Sequence, residues 1–149
     1  MDKFEARPED ERLAGDHERA ANEAYQRCDF ERAAAEYTHV ILLAPHRIEA
    51  FARRAEAWKA LGRCDAAIAD YTAFLAASPR HHATLLARAQ LYAFTARYLD
   101  AVDDYTRAIE LNPANAVAYL GRGQAYVRAA EVNSAVADFS KAIELAPGN

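Results

Sequence analysis

Cysteine is scarce in this sequence: Cys28 and Cys64 are the only two among 149 residues. Two are too few for a disulfide framework or a four-ligand zinc site. Glycine is scarce as well. The five glycines are scattered, and none sits in a phosphate-cradling loop. No apolar run approaches the roughly 18 residues that a membrane span needs. The N-terminal stretch from Met1 to Arg12 is charged and lacks the apolar core of a secretory leader. Positive charge is not in excess. The net charge of −4 and the pI of about 5.7 argue against a protein held to nucleic acid by phosphate contacts. What is present is a globular balance, 52% hydrophobic and 27% charged, which excludes wholesale disorder. The expectation is a chain in a reducing, cytoplasmic setting, with no membrane or nucleic-acid partner.

Proline is also sparse, and its spacing is informative. Pro45, Pro79, Pro113 and Pro147 stand 34 residues apart. The same period carries an aromatic column (Tyr37, Tyr71, Tyr105, Phe139) and a small-residue column (Ala33, Ala67, Ala101, Ala135). It also carries a hydroxyl column (Thr38, Thr72, Thr106, Ser140) and an acidic column (Glu36, Asp70, Asp104, Asp138). Self-similarity at a fixed period decides the architecture before any local propensity does. Inside each unit the apolar spacing is helical, as with Val102, Tyr105 and Ile109 at i, i+3 and i+7. Each proline then stops a helix. Each unit therefore reads as a hairpin of two helices of about 12 to 14 residues. Sustained period-2 alternation is absent, so no strand is expected.

These columns resemble the tetratricopeptide repeat, whose period is 34 residues. The fourth unit carries the signature on Tyr119, Gly123, Tyr126, Ala135, Phe139, Ala142 and Pro147, and the third on Leu85, Ala89, Tyr92, Ala101, Tyr105, Ala108 and Pro113. The second keeps Phe51, Ala55, Trp58, Ala67, Tyr71 and Pro79 but has bulky Phe74 at a small site. The first is the most degenerate. It keeps Ala21, Asn22, Tyr25, Asp29, Phe30, Ala33, Tyr37 and Pro45, with Val40 at the small site. The resemblance implies an all-α, right-handed α-solenoid of four hairpins and about eight helices. The repeats span 14–47, 48–81, 82–115 and 116–149, after a charged extension or helix start over 1–13. Neighbouring hairpins must stack to bury their apolar faces, and four units exceed the minimum of about three. Pro8-Glu9-Asp10-Glu11 reads as a helix start with acids in its first turn.

No catalytic constellation is visible. No serine or cysteine can be argued to have a histidine base, so the reading is non-enzymatic and without cofactor or metal. His81-His82 follows Pro79 and reads as a solvated loop; Cys28 and Cys64 read as buried or half-buried small residues in turns.

The resemblance places a binding groove along the first helix of each hairpin. The expected groove residues are Arg19, Asn22, Arg53, Lys59, Leu86, Gln90, Phe94, Leu120, Gln124 and Val127. They suit a protein or peptide partner with an acidic part near the first two units and an apolar part near the last two. Some relatives clamp the carboxylates of a chaperone tail. Of that clamp only Asn22 is present, since Glu18, Arg53, Ala83 and Ala87 replace the rest. The alternative reading is an assembly segment that self-associates or docks through its ends. Val136, Phe139 and Ile143 give the last helix apolar character beyond its inward side, which suggests either a chain cut from a longer protein or a sticky C-terminal end.

Arg54, Arg88 and Arg122 also recur at the 34-residue period. Each can pair with the acid of its own unit, as Arg54 with Asp70, or with that of the preceding unit. Because the first unit has Ala20 in place of the arginine and within-unit pairing would leave Glu36 unpartnered, they read as a ladder reaching back: Arg54 to Glu36, Arg88 to Asp70 and Arg122 to Asp104. That leaves Asp138 awaiting a partner on a fifth repeat.

Overall fold

The recurring columns become eight helices: α1 (Pro8–Gln26), α2 (Phe30–Leu43), α3 (Glu49–Ala60), α4 (Cys64–Ala77), α5 (His82–Phe94), α6 (Tyr98–Leu111), α7 (Ala116–Arg128) and α8 (Val132–Leu145). The structure is a computed structural model and describes residues 7–147. Among these there is no strand. The chain divides into two units, Met1–Ala77 and Ser78–Asn149, each containing two hairpins.

Helix boundaries follow the punctuation of the sequence. Pro8 opens α1 at its first turn, with Glu9, Asp10 and Glu11 beside the positive end of the helix dipole. Pro45, Pro79, Pro113 and Pro147 each lie two residues past a helix end. His81 is not loop filler. Its Nδ1 accepts the backbone N–H of Thr84 and caps α5, while His82 is the first residue of that helix and is half-buried. Cys28 is exposed, contrary to the sequence reading, and only Cys64 is half-buried.

Why Cys28 is exposed follows from the turn inside each hairpin. Cys28, Gly62, Ala96 and Ala130 occupy equivalent positions 34 residues apart, and all have positive φ, between 60° and 71°. The next residue donates back across the turn in every hairpin: Asp29 to Ala24, Arg63 to Trp58, Arg97 to Tyr92 and Glu131 to Tyr126, at 2.8–2.9 Å. This is the Schellman closure, which needs a left-handed residue and satisfies carbonyls at the helix end. Glycine fills that position only once.

The small-residue columns bring the paired helices together. Ala55, Ala67, Ala89 and Ala101 are fully buried, and Ala135 nearly so. At Gly123 an added Cβ would sit 2.7 Å from the Phe139 ring. In unit 1, Ala21 and Ala24 of α1, Ala33, Ala34, Tyr37 and Val40 of α2, and Ala50 and Ala57 of α3 form one core.

The arginine ladder runs in the opposite register to the one expected. Arg54 binds Asp70, Arg88 binds Asp104 and Arg122 binds Asp138, each within its own hairpin and each through two bonds of 2.7–2.8 Å. The fork geometry matches the carboxylate at both oxygens. Hydrogen bonding to Asp138 holds the Arg122 guanidinium above its ordinary pKa. The third arm reaches back, but to a hydroxyl: Arg54 Nη1 donates to Thr38 at 2.9 Å, and Arg122 Nη1 to Thr106 at 3.0 Å. Asp138 has its partner in Arg122 and points to no missing repeat. In the first hairpin, where Ala20 replaces the arginine, His17 takes Glu36 at 2.6 Å.

Candidate interaction surface

In the second unit, the end of α5 and the last turns of α7 leave an open pocket. Ala93 and Phe94, Tyr98, Gln124, Val127 and Arg128, and Phe139 line it, around about 530 Å³. Phe94 is the last residue of α5 and is 80% exposed, so its ring is not spent on core packing. Val127 is also exposed. The Arg128 guanidinium lies 5.8 Å from the centre of the Tyr98 ring, which leaves a cation at the pocket rim. An apolar cleft with one convergent cation suits an apolar side chain with a carboxylate nearby.

The expected groove residues do not form one set. Phe94, Gln124 and Val127 share this pocket. Leu120 and Gln124 share a different one of about 470 Å³, together with Val117, Phe139 and Ile143. Leu86 is half-buried and Gln90 exposed on α5, and neither lines either pocket. Tyr98 and Arg128 complete the first pocket. Arg128 lies on α7, a first helix of a hairpin where the groove is expected, whereas Tyr98 lies on α6, a second helix.

In the first unit, local acids engage two of the three expected cations. Lys59 pairs with Glu56 at 2.6 Å, and Arg19 contacts Asp16 at 3.4 Å. Arg53 is exposed and stands outside the ion pairs among the described residues of that unit. Asn22, though exposed, accepts a 2.7 Å hydrogen bond from the Tyr37 hydroxyl. Glu56 accepts the equivalent bond from Tyr71. Burial raises the pKa of Tyr37, while the nearby Arg53 opposes the shift. Burial likewise raises Tyr71, and Glu56 adds to the shift.

Residues 97–129 match the family model described as TPR repeat, and residues 116–149 match the one described as tetratricopeptide repeat. The same columns and the same hairpin turn recur through the preceding hairpins. The chain is a tetratricopeptide-repeat protein. Its fold is an all-α TPR solenoid. MamA 41-end from Desulfovibrio magneticus RS-1 superposes with a TM-score of 0.87 at 19% identity, covering 92% of this chain and 77% of that one. A tetratricopeptide repeat protein from Parabacteroides merdae ATCC 43184 superposes with a TM-score of 0.86 at 19% identity, covering 93% of this chain and 55% of that one. At these identities the likeness is one of fold. The first TPR of Spaghetti (RPAP3), solved bound to the HSP90 peptide SRMEEVD, gives a TM-score of 0.65 at 26% identity, covering 70% of this chain and 82% of that one. No curated protein matches the chain. TPR scaffolds are protein-interaction modules in general. Among the described residues of this TPR protein, no group of His, Cys, Asp and Glu could hold a metal ion, and no helix is long and apolar enough to cross a membrane.

Proposed function

We propose that the chain binds a peptide segment of a partner protein, with an apolar side chain of the peptide seated against Phe94, Tyr98 and Val127. The carrying observation is Phe94, an aromatic ring 80% exposed in a concave site. Burying such a ring is worth about 1.5–3 kcal/mol, and aromatic anchors dominate most interfaces. Arg128 favours a carboxylate beside the apolar anchor. Arg19, Asn22, Arg53 and Lys59 in the first unit, and Leu86, Gln90, Leu120 and Gln124 in the second, are the further partner contacts proposed for each unit by itself. Arg53 is the cation best able to meet an acidic segment, since Lys59 and Arg19 already have partners. A chaperone-tail clamp is not supported. Glu18, which stands where the clamp needs a lysine, is paired with Arg47 at 2.7 Å, and the Asn22 carbonyl is engaged by Tyr37.

The test is selection of peptides from a random displayed library on the full chain, followed by titration. Selected peptides should share a large apolar residue with an acid close by. Phe94→Ala should weaken them about tenfold or more, and Arg128→Glu should weaken the acidic ones. Selected peptides that bind both variants as tightly as the parent would overturn the assignment. A second reading, docking through the end of the repeat array, is favoured by the exposed apolar residues Val136 and Ile143 of α8.

A further inference from the structure

A helix-docking site on α8, which meets the peptide pocket at Phe139, emerges when equivalent residues are compared across the repeats. In unit 1, Ala34 and Tyr37 of α2 are buried in one core with Ala50 and Ala57 of α3, and Ile41 and Trp58 pack against it. In unit 2, the equivalent residues of α6 are Val102, Tyr105 and Ile109, all at least nine-tenths buried. There the Tyr105 ring lies so close to α7 that a Cβ on Gly121 would fall 2.5 Å from it. The next equivalents, on α8, are Val136, Phe139 and Ile143. Val136 is 58% exposed and Ile143 62%. Among the described residues nothing covers this face. It opens onto the pocket of about 470 Å³ shared with Val117 and Leu120.

The polar half of the interface is present as well. Thr38 and Thr106 each donate to the carbonyl four residues back and accept an arginine from the following helix. Ser140 is their equivalent on α8. It donates to Val136 at 2.8 Å in the same way, and it is exposed, with its acceptor lone pairs available. The α8 surface therefore repeats the receptor that α2 presents to α3 and α6 presents to α7, including the hydroxyl that receives an arginine.

The covering helices share a pattern. In α3 it is Ala50, Arg54, Ala57 and Trp58; in α7 it is Ala118, Arg122, Ala125 and Tyr126. A small residue is followed by arginine at i+4, a small residue at i+7 and an aromatic at i+8. The N-terminal helix of a second copy does not meet this requirement. The equivalent residues of α1 are Asp16, Ala20, Glu23 and Ala24, and both acids are exposed. Head-to-tail stacking would press two carboxylates against Val136 and Ile143 and bring no arginine to Ser140, a burial without compensation. Symmetric pairing of two α8 faces brings no arginine either.

We infer that the outer face of α8 docks an amphipathic helix of a partner protein carrying this small–arginine–small–aromatic pattern, with the arginine donating to Ser140. The inference does not rest on the peptide pocket: the two sites share Phe139, but docking is carried by Val136, Ser140 and Ile143, and the peptide pocket by Phe94 and Arg128.

The probe is a labelled synthetic peptide with the sequence of residues 48–62, IEAFARRAEAWKALG, titrated into the full chain by fluorescence anisotropy. Saturable binding is expected. Exchanging the arginine of the peptide that corresponds to Arg54 for alanine should weaken binding about tenfold. Ile143→Glu in the protein should abolish it while far-ultraviolet circular dichroism stays unchanged, and Ser140→Ala should erase most of the difference between the two peptides. If Ile143→Glu does perturb folding, Val136→Ser supplies the same readout with a smaller change. The inference is overturned by any of three results: binding that these variants do not alter, equally tight binding of a peptide with the α1 sequence, or a chain that dimerises through α8 and leaves the probe unbound.

Discussion

Arg122 provides the most direct test of how these hairpins are held. Its Nε and Nη2 donate to the two oxygens of Asp138 at 2.8 Å, and its Nη1 reaches Thr106 at 3.0 Å. The side chains of Arg122 and Asp138 are 17% and 7% exposed, so solvent can do little for either group once its partner is gone. Arg122→Met leaves a nearly buried carboxylate without its two charge-assisted bonds. Breaking a buried pair in this way costs about 3–5 kcal/mol, a large share of a total stability of about 5–15 kcal/mol. Asp138→Leu strands the guanidinium and should cost slightly less, because Thr106 and the Tyr119 and Tyr126 rings, both within 6 Å of it, remain. The double variant removes both charges and should recover much of the loss. The expected coupling energy is therefore on the order of 2–3 kcal/mol. The parallel cycle of Arg122→Met with Asp104→Leu should give well under about 1 kcal/mol, because Asp104 is held by Arg88. Urea unfolding at neutral pH, followed by circular dichroism and by tyrosine fluorescence, measures both cycles. Coincidence of the two probes establishes the two-state condition that the free energies require. A coupling to Asp104 as large as that to Asp138 would refute the within-hairpin register.

Three further outcomes are expected. Ala96→Gly and Ala130→Gly should each stabilise the chain by roughly 0.5–1 kcal/mol, and Gly62→Ala should destabilise it by about as much, because all three positions hold positive φ; urea midpoints check this. Stability should fall as pH rises above about 10, the ordinary phenol value: burial raises the pKa values of Tyr37, Tyr71 and Tyr105, so the unfolded chain releases protons that the folded chain retains. Thermal melts between pH 8 and pH 11 should show the decline, and Tyr71→Phe should flatten it. Gly121→Ala should lower stability by about 1–2 kcal/mol despite a better helix propensity, because the new methyl group meets the buried Tyr105 ring; an unchanged midpoint would mean that the ring moves aside freely.

The hairpins and their boundaries were legible because they depend on residue type at fixed spacing, and Pro45, Pro79, Pro113 and Pro147 mark that spacing openly. The left-handed turn was not. Its signal is a glycine column, and only Gly62 supplies one; at Cys28, Ala96 and Ala130 the hairpin imposes a conformation that the residue itself disfavours. Helix-face spacing put Leu86 and Phe94 on one face alike and did not separate half-buried Leu86 from exposed Phe94, nor did it give the residues around Phe94. Tyr98 comes from the next helix, and helix-face arithmetic on the first helices alone cannot bring it to the pocket. The attenuation of Lys59 and Arg19 was readable, since Glu56 and Asp16 stand three residues before them.

The register of the arginines shows where spacing ceases to decide. A 34-residue period fits arginine to the acid of its own hairpin or of the preceding one equally well, because both columns repeat together. The structure separates the two jobs by chemistry. The planar fork of Arg54 gives Nε and Nη2 to Asp70 and keeps Nη1 for Thr38; Arg122 divides its donors in the same way between Asp138 and Thr106. One side chain thus ties a hairpin to itself through the carboxylate and to its predecessor through the hydroxyl. A lysine could not do this, since its compact ammonium has no fork to span two carboxylate oxygens while reaching a third acceptor. The stacking register was therefore carried by the hydroxyl column. Its last member, Ser140, presents the acceptor that Thr38 and Thr106 use, and Val136 and Ile143 beside it are the apolar surface that such a contact covers elsewhere in the chain.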